Sequence, residues 1–338
     1  MAITIKDVAE KAGVARSTVS KVISDHASIS NATKDRVRAV MRELNFYPNR
    51  LAQGFAQQKS YTLGLLMAIE EYTAFENPYS FEILCGIEQA AGQRHYNVAL
   101  HNLLTISQER EHLQRVLTDK RVDGFILHAS PTVQPLLKML RAHQVPYVLI
   151  GEPSFSGQHS WVDIDNQSAG AQATQHLIEA GYQRIAFVGG AEDDLITQSR
   201  LRGYHQALSE AGLPVNSVQF RAQKNAVQGH LAWQAFGHTK PDAIVACDTF
   251  LAIGLLQQAQ ADGVAIPQQL GVIGFDNHPL SLVSQPAISV LDVGLFGLGR
   301  EAAEALFQQI AEPNRVSQKR LLSGKVIARA SSLTSVTR

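Results

Sequence analysis

The chain has few of the residues that point to a secreted, metal-binding or membrane protein. Its 338 residues include only two cysteines, Cys85 and Cys247, which are too far apart to suggest a disulfide framework. No CxxC or histidine-rich spacing predicts a metal site, no apolar run approaches the ~18 residues of a membrane span, and we expect no signal peptide after Met1. We therefore expect a cytoplasmic protein without metal, cofactor or membrane contact.

Catalytic motifs are also missing. There is no GxxxxGK phosphate loop, no GxSxG elbow and no zinc spacing, and Gly189-Gly190 does not complete a GxGxxG pattern. The 12 histidines are scattered, and we assign none of them a catalytic role. We expect no enzyme and no catalytic residue. A sugar kinase is the alternative among enzymes, and saturable sugar binding without turnover would exclude it.

The formal net charge is zero, but the charges are unevenly distributed. Residues 1–59 hold ten Lys and Arg against five acids, a net charge of +5, and the remaining residues carry −5. A basic end joined to an acidic body predicts that the basic end contacts a polyanion.

The basic end has the periodicity of three short helices. A capping-box pattern at Thr4–Asp7 begins the first, Gly13 ends it, and Ser30 is a suitable N-cap for the third. The third helix places Val37, Val40, Met41 and Leu44 on one face, at i, i+3, i+4 and i+7. The stretch 50–58 has helical composition but is marginal as an isolated helix, so we interpret it as a hinge.

From Tyr61 onward, apolar strand patterns alternate with helical ones. The predicted strands are Thr62–Ala68, Asn97–His101, Gly124–Leu127, Tyr147–Ile150, Arg184–Gly189, Ala243–Ala246 and Val272–Phe275. Helical segments between them include Phe81–Arg94, Gln108–Thr118, Ser168–Ala180 and Phe250–Ala261. This alternation predicts parallel sheets with helices on both faces, in two similar α/β lobes with a ligand cleft between them.

The first two helices have helix-turn-helix spacing. Ala9 permits a close helix crossing, Gly13 permits the turn, and valines at 14 and 19 fill the small core. The second helix then presents five side chains to a major groove: Arg16, Ser17, Thr18, Ser20 and Lys21. A helical hairpin with solvated charges is the alternative for this stretch alone.

Further motifs, in order along the chain, resemble the lactose-repressor (LacI/GalR) family. In the headpiece they are Ile5–Val14, Ser17–Val22 and Leu44–Asn49. In the body they are Asn77–Tyr79, Gly86–Glu88, Val122–Gly124, Asp165-Asn166, His176-Leu177, Arg200–Tyr204 and Gly274–Asn277. The resemblance covers nearly the whole chain.

The resemblance implies a homodimeric transcription regulator, a repressor, whose recognition helices occupy successive major grooves of a near-palindromic DNA operator. Hinge helices that form on DNA would enter the minor groove, with Phe55 in place of the usual wedging leucine and Ala52 facing the groove floor. Packing of Phe55 on its dimer mate is the alternative. Lys6 and Arg50 are predicted phosphate contacts, and Thr4 and Asn49 complete the predicted DNA-binding set.

Three departures from the family pattern affect the DNA-binding end. Ala15 replaces a capping serine, which costs roughly 1 kcal/mol. Lys21 replaces the more usual arginine and removes bidentate geometry. Gly54 weakens the hinge helix by up to about 1 kcal/mol, so we expect the hinge to depend on DNA for its folding.

The resemblance also implies a small-molecule effector site between the lobes. Its predicted residues are Tyr79, His128, Arg200, Cys247, Asp248 and Asp276. Arg200 and Asp276 are the main candidates, with an ion pair within or between the lobes as the alternative. Cys247 stands where we expect a ligand-binding asparagine, and Asp248 is as suited to orienting the strand end as to binding.

The predicted effector is a sugar, sugar phosphate, sugar acid or nucleoside. Lys224 would favour an anionic effector if it faced the pocket, and a solvated lysine is the alternative. Whether the effector acts as inducer or corepressor is open. Because the tail 331–338 lacks a leucine heptad, we expect a dimer rather than a tetramer.

The predicted fold class is α/β: a small all-α helix-turn-helix headpiece and a two-lobed, periplasmic-binding-protein-like (type I) core of doubly wound parallel sheets. The headpiece covers residues 1–47, the hinge 48–60 and the core 61–338. The N-lobe comprises about 61–161 and 291–321, and the C-lobe 162–290 and 322–338. A periplasmic sugar receptor shares this architecture, but it would need an export signal and no headpiece.

Overall fold

The structure is a computed structural model that describes residues 3–46, 59–69, 79–103, 110–191, 194–219, 225–237 and 241–333. Its headpiece consists of α1 (Ile5–Ala12), α2 (Arg16–Ile23) and α3 (Asn31–Glu43). Their apolar faces form a core of Val8, Ala9, Ala12, Val19, Val22 and Val37, each at most 5% exposed. The three helices predicted from the 3.6-residue periodicity are confirmed.

The first lobe is built on a fully parallel sheet. Its strands are β1 (Thr62–Met67), β2 (Asn97–Asn102), β3 (Gly124–His128), β4 (Tyr147–Ile150), β5 (Trp161–Ile164) and β11 (Lys319–Leu322), in the order β11-β5-β4-β3-β1-β2. The helices of this lobe are α4 (Tyr79–Gln93), α5 (Arg110–Thr118), α6 (Gln134–Ala142) and α12 (Leu295–Ala311).

The second lobe repeats this plan. Its strands are β6 (Ile185–Gly189), β7 (Asn216–Gln219), β8 (Ala243–Ala246), β9 (Gly271–Phe275), β10 (Ser289–Asp292) and β12 (Lys325–Ile327), in the order β12-β10-β9-β8-β6-β7. Its helices are α7 (Asn166–Glu179), α8 (Leu195–Ala211), α9 (Ala226–Ala235), α10 (Thr249–Ala261) and α11 (Pro279–Val283). Only β12 runs antiparallel to its neighbour among the described strands.

The central strands are continuous apolar runs because helices cover both faces of each sheet. Every residue of β4, β6, β8 and β9 is buried. This burial on both faces distinguishes a parallel sheet inside an α/β protein from a half-exposed antiparallel one. The predicted α/β class with parallel sheets is therefore confirmed.

The chain passes between the lobes three times. It leaves the first sheet after Ile164, returns to it between Asp292 and Leu295, and leaves it again between Leu322 and Lys325. Strand β5 belongs to the first sheet, so the boundary predicted near residue 161 falls at the start of that strand. The crossings bring the carboxyl ends of strands from both sheets to one cleft, where α/β folds bind ligands.

Three helix pairs in the lobes cross with backbone against backbone. Glycines stand at the contact on both partners: Gly86 and Gly299 between α4 and α12, Gly170 and Gly203 between α7 and α8, and Gly229 and Gly254 between α9 and α10. A Cβ added at any of these six positions would lie within 2.3 Å of a carbonyl oxygen of the partner helix. These close crossings therefore require glycine, which has no side chain, at all six positions.

None of the helices in the described part of the chain has both the length and the apolar character that a membrane crossing requires.

Candidate functional site

The turn between α1 and α2 is held by backbone hydrogen bonds. Gly13 has φ +64°, a left-handed conformation that favours glycine, and its N–H donates to the carbonyl of Glu10. The next residue, Val14, donates its N–H to Ala9 O at 3.0 Å. At the other end of α1, the Asp7 carboxylate accepts the N–H and the hydroxyl of Thr4, each at 2.7 Å. The sequence patterns at Thr4–Asp7 and Gly13 thus mark both ends of the first helix.

The second helix divides into a buried and an exposed face. Val19 and Val22 are buried, whereas Arg16, Ser17, Ser20 and Lys21 are exposed at i, i+1, i+4 and i+5. Thr18 is half-buried, and the helix carries no acidic residue. As the sequence indicated, Ala15 gives the helix no side-chain cap. Thr4, the N-cap of α1, and Lys6, on α1, are also exposed.

A charged cluster closes the turn between α2 and α3. Asp25 has φ +50°, and its carboxylate lies 3.0 Å from Lys34 Nζ and 2.7 Å from Arg38 Nη2. Lys34 also donates to the Asp25 carbonyl at 3.2 Å, although its side chain is largely buried. The hydrogen bond from Lys34, with the nearby charges, lowers the pKa of Asp25. The cluster fixes the turn that joins α2 to α3.

We expect the Asp25 cluster to make headpiece stability depend on pH. Because the pKa of Asp25 is lowered on folding, its stabilisation is present above the ordinary value of 3.8 and is lost as the pH falls through the lowered pKa. Asp25→Asn should lower the headpiece melting temperature at pH 6, and the difference from wild type should shrink below pH 3.8. NMR melts of the Val37 methyl groups in the full chain measure this.

Asp35→Asn is the control, since Asp35 is an exposed acid on the same α3 helix. Equal loss of stability in both variants at pH 6 would contradict the prediction. Asparagine tolerates the left-handed conformation of residue 25, so backbone strain does not confuse the comparison.

The predicted hinge residues Asn49, Arg50, Ala52 and Phe55 lie outside the described residues, as does Lys224. Their proposed roles remain predictions from the sequence.

The remaining predicted site residues gather at the cleft between the lobes. His128 ends β3, Asp248 follows β8, and Asp276 follows β9. Tyr79 begins α4 in the first lobe, and Arg200 lies on α8 in the second. The structure thus brings together side chains from both sheets, because parallel strands that end at one edge direct the following residues into one crevice.

Arg200 is anchored beneath the cleft. Its side chain is buried, its Nε donates to Asn166 Oδ1 at 3.0 Å, and its Nη1 donates to Cys247 O at 2.6 Å. The guanidinium lies over the ring of Phe275, 3.9 Å from the ring centre. Within the described residues these contacts leave the Nη2 donors unused, so a second oxygen-bearing group can be bound there.

Asp276 has the geometry of a functional residue. It is 8% exposed and has φ +67°, a conformation unusual for a residue other than glycine. The strained backbone is held by hydrogen bonds from Asp276 N to Leu291 O and from Thr249 Oγ1 to Asp276 O, at 2.9 and 3.0 Å. Non-glycine residues in this region cluster at ligand sites.

The two carboxylate oxygens of Asp248 make different contacts: one caps a helix and the other faces the cleft. Its Oδ1 accepts the N–H groups of Phe250 and Leu251 and so caps α10. Its Oδ2 accepts the hydroxyl of Tyr79 at 3.3 Å, which joins the two lobes. Burial, together with the carboxylates of Asp248 and Asp276, raises the pKa of Tyr79, which therefore stays protonated and donates. Both functions that the sequence left open for Asp248 are compatible with this position.

Cys247 directly follows β8, and its thiol is buried. Its side chain is 1% exposed and its Sγ lies 3.5 Å from Thr197 Oγ1, inside the second lobe. Its carbonyl oxygen accepts a hydrogen bond from Arg200. Its contact with the effector stays a prediction.

Asp163 on β5 is a cleft residue that the sequence analysis missed. It accepts the N–H groups of Glu152 and Ile164, and it interacts electrostatically with His128 and Arg200. Burial raises the pKa of the Asp163 carboxyl group and lowers the pKa of the His128 imidazole. The side chain of His128 still keeps contact with solvent. No sequence motif marks Asp163; its position at the carboxyl end of a strand was the available signal.

Two ring-bearing residues beside predicted ones were also missed as site residues. Phe250 and His278 each follow a predicted carboxylate by two positions, and their ring centres lie 5.4 Å apart. Tyr79 lies 6.4 Å from Phe250 and 6.1 Å from His278. All three are half-buried.

In the part of the chain that the structure describes, no group of three or more potential metal ligands occurs.

Two family models match this chain. Residues 4–49 match the family described as bacterial regulatory proteins, lacI family, and residues 174–332 match the periplasmic binding protein-like domain. The first match covers the headpiece and the second covers most of the second lobe.

Curated relatives span the whole chain. The HTH-type transcriptional regulator MalR of Streptococcus pneumoniae serotype 4 is 33% identical over 339 residues, which cover 97% of this chain and 99% of the relative. The ribose operon repressor of Escherichia coli K12 is 30% identical, with the same coverage of 97% and 99%. These relatives are named as regulators of transcription.

Solved structures agree with the described fold. The transcriptional regulator CelR in complex with cellobiose has a TM-score of 0.70 at 30% identity, covering 97% of this chain and 99% of that one. The lac repressor dimer bound to operator and the anti-inducer ONPF has a TM-score of 0.73 at 22% identity, covering 99% and 100%. Because the lac repressor is only 22% identical, its similarity supports the fold alone.

Proposed function

Because the chain belongs to the lacI family of bacterial regulatory proteins, we propose that it is a sequence-specific DNA-binding regulator of transcription, a repressor controlled by a small molecule. The headpiece 1–47 binds DNA, residues 48–60 form the hinge, and the core from residue 61 binds the effector and dimerises. The protein acts in the cytoplasm, where its DNA target lies, and catalyses no reaction.

The exposed face of α2 is the observation that carries the DNA-binding proposal. Arg16 and Lys21 flank two serines on one side of a helix whose other side is packed into the headpiece core. Arg and Lys donate to guanine O6 and N7, and serine hydroxyls bond to bases or phosphates. Thr18, on the same helix, adds to these DNA contacts. Thr4 and Lys6 contact the DNA backbone.

The hinge completes the DNA contacts in this proposal. Asn49 and Arg50 bind phosphates, Ala52 faces the minor-groove floor, and Phe55 wedges between base pairs. An aromatic wedge kinks the duplex and brings the two headpieces of a dimer onto one near-palindromic operator.

The cleft holds the effector, which we propose to be a sugar or sugar derivative. The Nη2 donors of Arg200 and the carboxylate of Asp276 grip its hydroxyl groups. Asp248, Tyr79 and His128 border it, with Asp163 beside His128. Cys247 acts indirectly, since its carbonyl holds Arg200. Ligand bound with different affinity in two lobe arrangements shifts the equilibrium between them and so changes DNA affinity.

Selection from a random duplex pool tests the DNA-binding proposal. The full chain should enrich a near-palindromic site, and fluorescence anisotropy should show a steep loss of affinity with rising salt. Addition of the effector should change that affinity. A chain that enriches no sequence, or binds every duplex equally at all salt concentrations, would exclude the function.

Lys21 and Lys6 should affect DNA binding differently. We expect Lys21→Ala to weaken the selected operator about tenfold while leaving random DNA less affected, because a base contact contributes 1–3 kcal/mol of discrimination. Lys6→Ala should weaken both DNAs alike and lower the salt slope by about one unit. Anisotropy titrations on both duplexes at several salt concentrations measure these effects, and equal behaviour of the two variants would contradict the assignment.

A further inference from the structure

A single carboxylate holds the chain where it enters the first lobe. Asp123 lies directly before β3, and its Oδ1 accepts the N–H of Ser60 at 2.7 Å and the Ser60 hydroxyl at 2.9 Å. Its Oδ2 accepts the N–H of Tyr61 at 3.1 Å. Ser60 and Tyr61 directly precede β1, so the carboxylate joins the amino ends of two neighbouring strands. We call these contacts of Asp123 with Ser60 and Tyr61 the entry anchor.

The backbone at the entry anchor is tightly constrained. Tyr61 has φ +51°, a left-handed conformation that is unusual for a residue other than glycine. Its carbonyl accepts the N–H of Asn97 at 2.9 Å. The N–H of Thr62 donates to the Ser60 hydroxyl oxygen, and the Thr62 hydroxyl donates to the Ser60 carbonyl, both at 3.2 Å. A strained backbone persists only where surrounding contacts hold it, so these bonds fix the direction in which the chain enters the lobe.

Ring contacts tie the entry anchor to a helix as well as to the sheet. The ring of Tyr96 lies between those of Tyr61 and Phe307, with centres 5.4 and 5.0 Å away. The guanidinium of Arg94 lies 4.8 Å from the centre of the Phe307 ring and donates to both carboxylate oxygens of Glu304 at 2.7 Å. Phe307 and Glu304 belong to α12, so this helix supports the anchor from the side.

The entry anchor lies at the edge of the sheet opposite the effector cleft. Asp123 precedes β3, whereas His128, at the cleft, is the last residue of the same strand. The described part of the core begins at Lys59, next to the anchor, and the proposed hinge precedes it. A change at Asp123 therefore acts on the connection to the headpiece rather than on the effector site.

The second lobe contains a counterpart of this carboxylate that holds no headpiece. Asp242 directly precedes β8, and its Oδ1 accepts the N–H groups of Gln183 and Arg184, at 3.2 and 2.8 Å, just before β6. Strands β6 and β8 pair in parallel, as β1 and β3 do. The chain before Gln183 comes from α7 of the same lobe. Comparison of Asp123 with Asp242 therefore separates the joining of strands from the holding of the hinge.

We infer that Asp123 is a positioning residue for operator recognition, which sets the half-site spacing that one dimer can bind. This inference rests on the proposed function. Each headpiece of a dimer reaches its half-site through a hinge that begins at the entry anchor, so the spacing that fits depends on where the two hinges begin. Without the carboxylate, Ser60 and Tyr61 join the tether to the headpiece.

The length of the released chain matches the dimensions of DNA. Two extended residues span up to about 7 Å, and base pairs are stacked at intervals of about 3.4 Å. A tether lengthened at Ser60 and Tyr61 can therefore compensate for a half-site displaced by one base pair. Loss of the entry anchor should relax the spacing requirement.

Binding of the full chain to operators of altered spacing tests the inference. The probes are the operator selected from the random pool and the same duplex with one base pair added or removed at its centre. Fluorescence anisotropy should show that wild type binds the selected spacing at least about tenfold more tightly than either altered one. In Asp123→Ala this ratio should fall to about threefold or less, because the longer tether reaches the displaced half-site.

Asp242→Ala is the matched control, since it removes the corresponding carboxylate of the second lobe and should keep the wild-type spacing ratio. Circular dichroism melts of both alanine variants show whether they fold. Asp123→Asn keeps the size of the side chain and one acceptor oxygen, so it should lower the ratio less than Asp123→Ala. The asparagine variant gives the same comparison if the alanine variant does not fold.

A wild-type spacing ratio in both Asp123→Ala and Asp123→Asn would overturn the inference, as would an equal fall of the ratio in Asp242→Ala. Equal binding of all three spacings by wild type would overturn it as well. In these cases the selected operator is still bound, so the proposed function stands. A chain that selects no operator would remove the proposed function, and the inference with it.

Discussion

Replacement of Gly203 by alanine should destabilise the second lobe by about 3 kcal/mol or more. The new Cβ would lie 1.9 Å from the carbonyl oxygen of Gln167 and 2.6 Å from Ala171 N, both of them backbone atoms of α7. A backbone carbonyl within a helix has no other rotamer to adopt, so the helices must move apart. The lobe would then lose packing along the whole α7–α8 interface.

Urea unfolding of the full chain, followed by tryptophan fluorescence, measures this loss, because Trp233 is buried in the second lobe. Gly297→Ala is the matched control: Gly297 lies in α12, and a Cβ there meets nothing within 4 Å. It should be neutral or stabilising, since alanine is the better helix former. Equal stability of the two variants would show that α7 and α8 do not cross this closely.

The same crossing connects stability to the effector site. A Cβ at Gly170 would lie 2.0 Å from the carbonyl oxygen of Arg200 itself. The glycine on α7 therefore sets the position of the residue whose guanidinium forms the floor of the cleft. Substitution here should reduce effector affinity even at temperatures where the lobe remains folded.

Asp276→Asn should reduce effector affinity at least about 100-fold, because hydrogen bonds to charged groups contribute roughly 1.5–3 kcal/mol and a carboxylate accepts more than one hydroxyl. Asparagine is the right replacement, since it tolerates φ +67° where alanine would add strain. The amide keeps the size of the side chain and removes its charge. The loss should therefore come from binding rather than from misfolding.

Thermal-shift titrations with sugars, sugar phosphates, sugar acids and nucleosides measure this effect. At 100 times the dissociation constant the ligand should add about 2.7 kcal/mol to wild-type stability and almost nothing to the variant. Asp119→Asn, at an exposed acid distant in sequence from the cleft residues, should keep the wild-type response. A full ligand response in Asp276→Asn would place the effector elsewhere. Operator binding without ligand should be unchanged in both variants.

Local patterns sufficed for the headpiece and for most strands. Helix α1 begins after Thr4 and ends at Gly13, as the capping pattern and the glycine indicated. The predicted strand Asn97–His101 is observed as Asn97–Asn102, and Tyr147–Ile150 is observed unchanged. These features depend on neighbours within a few residues, so their signals lie in the local sequence.

The family assignment rested on motifs spread along the chain. Relatives that span the whole chain confirm it.

The cleft required the tertiary structure. Tyr79 and Asp248 are separated by 169 positions, and only the three passages of the chain between the lobes bring them within hydrogen-bonding distance. Asp163 carries no motif, and no sequence pattern predicted that the thiol of Cys247 is buried. The direction of a side chain at a strand end follows from the register of the whole sheet, which no local pattern specifies.

The sequence by itself therefore determined the class of this protein: a basic helical headpiece, an α/β core of parallel strands, and membership of a family of regulators. Hydrophobic periodicity, helix-capping residues and turn glycines are local features, so their signals lie in consecutive residues. Only the tertiary structure decided which side chains share the cleft, that the rings of Tyr79, Phe250 and His278 meet there, and that paired glycines let helices touch. Those arrangements depend on contacts between distant segments, whose geometry is decided when the two lobes pack.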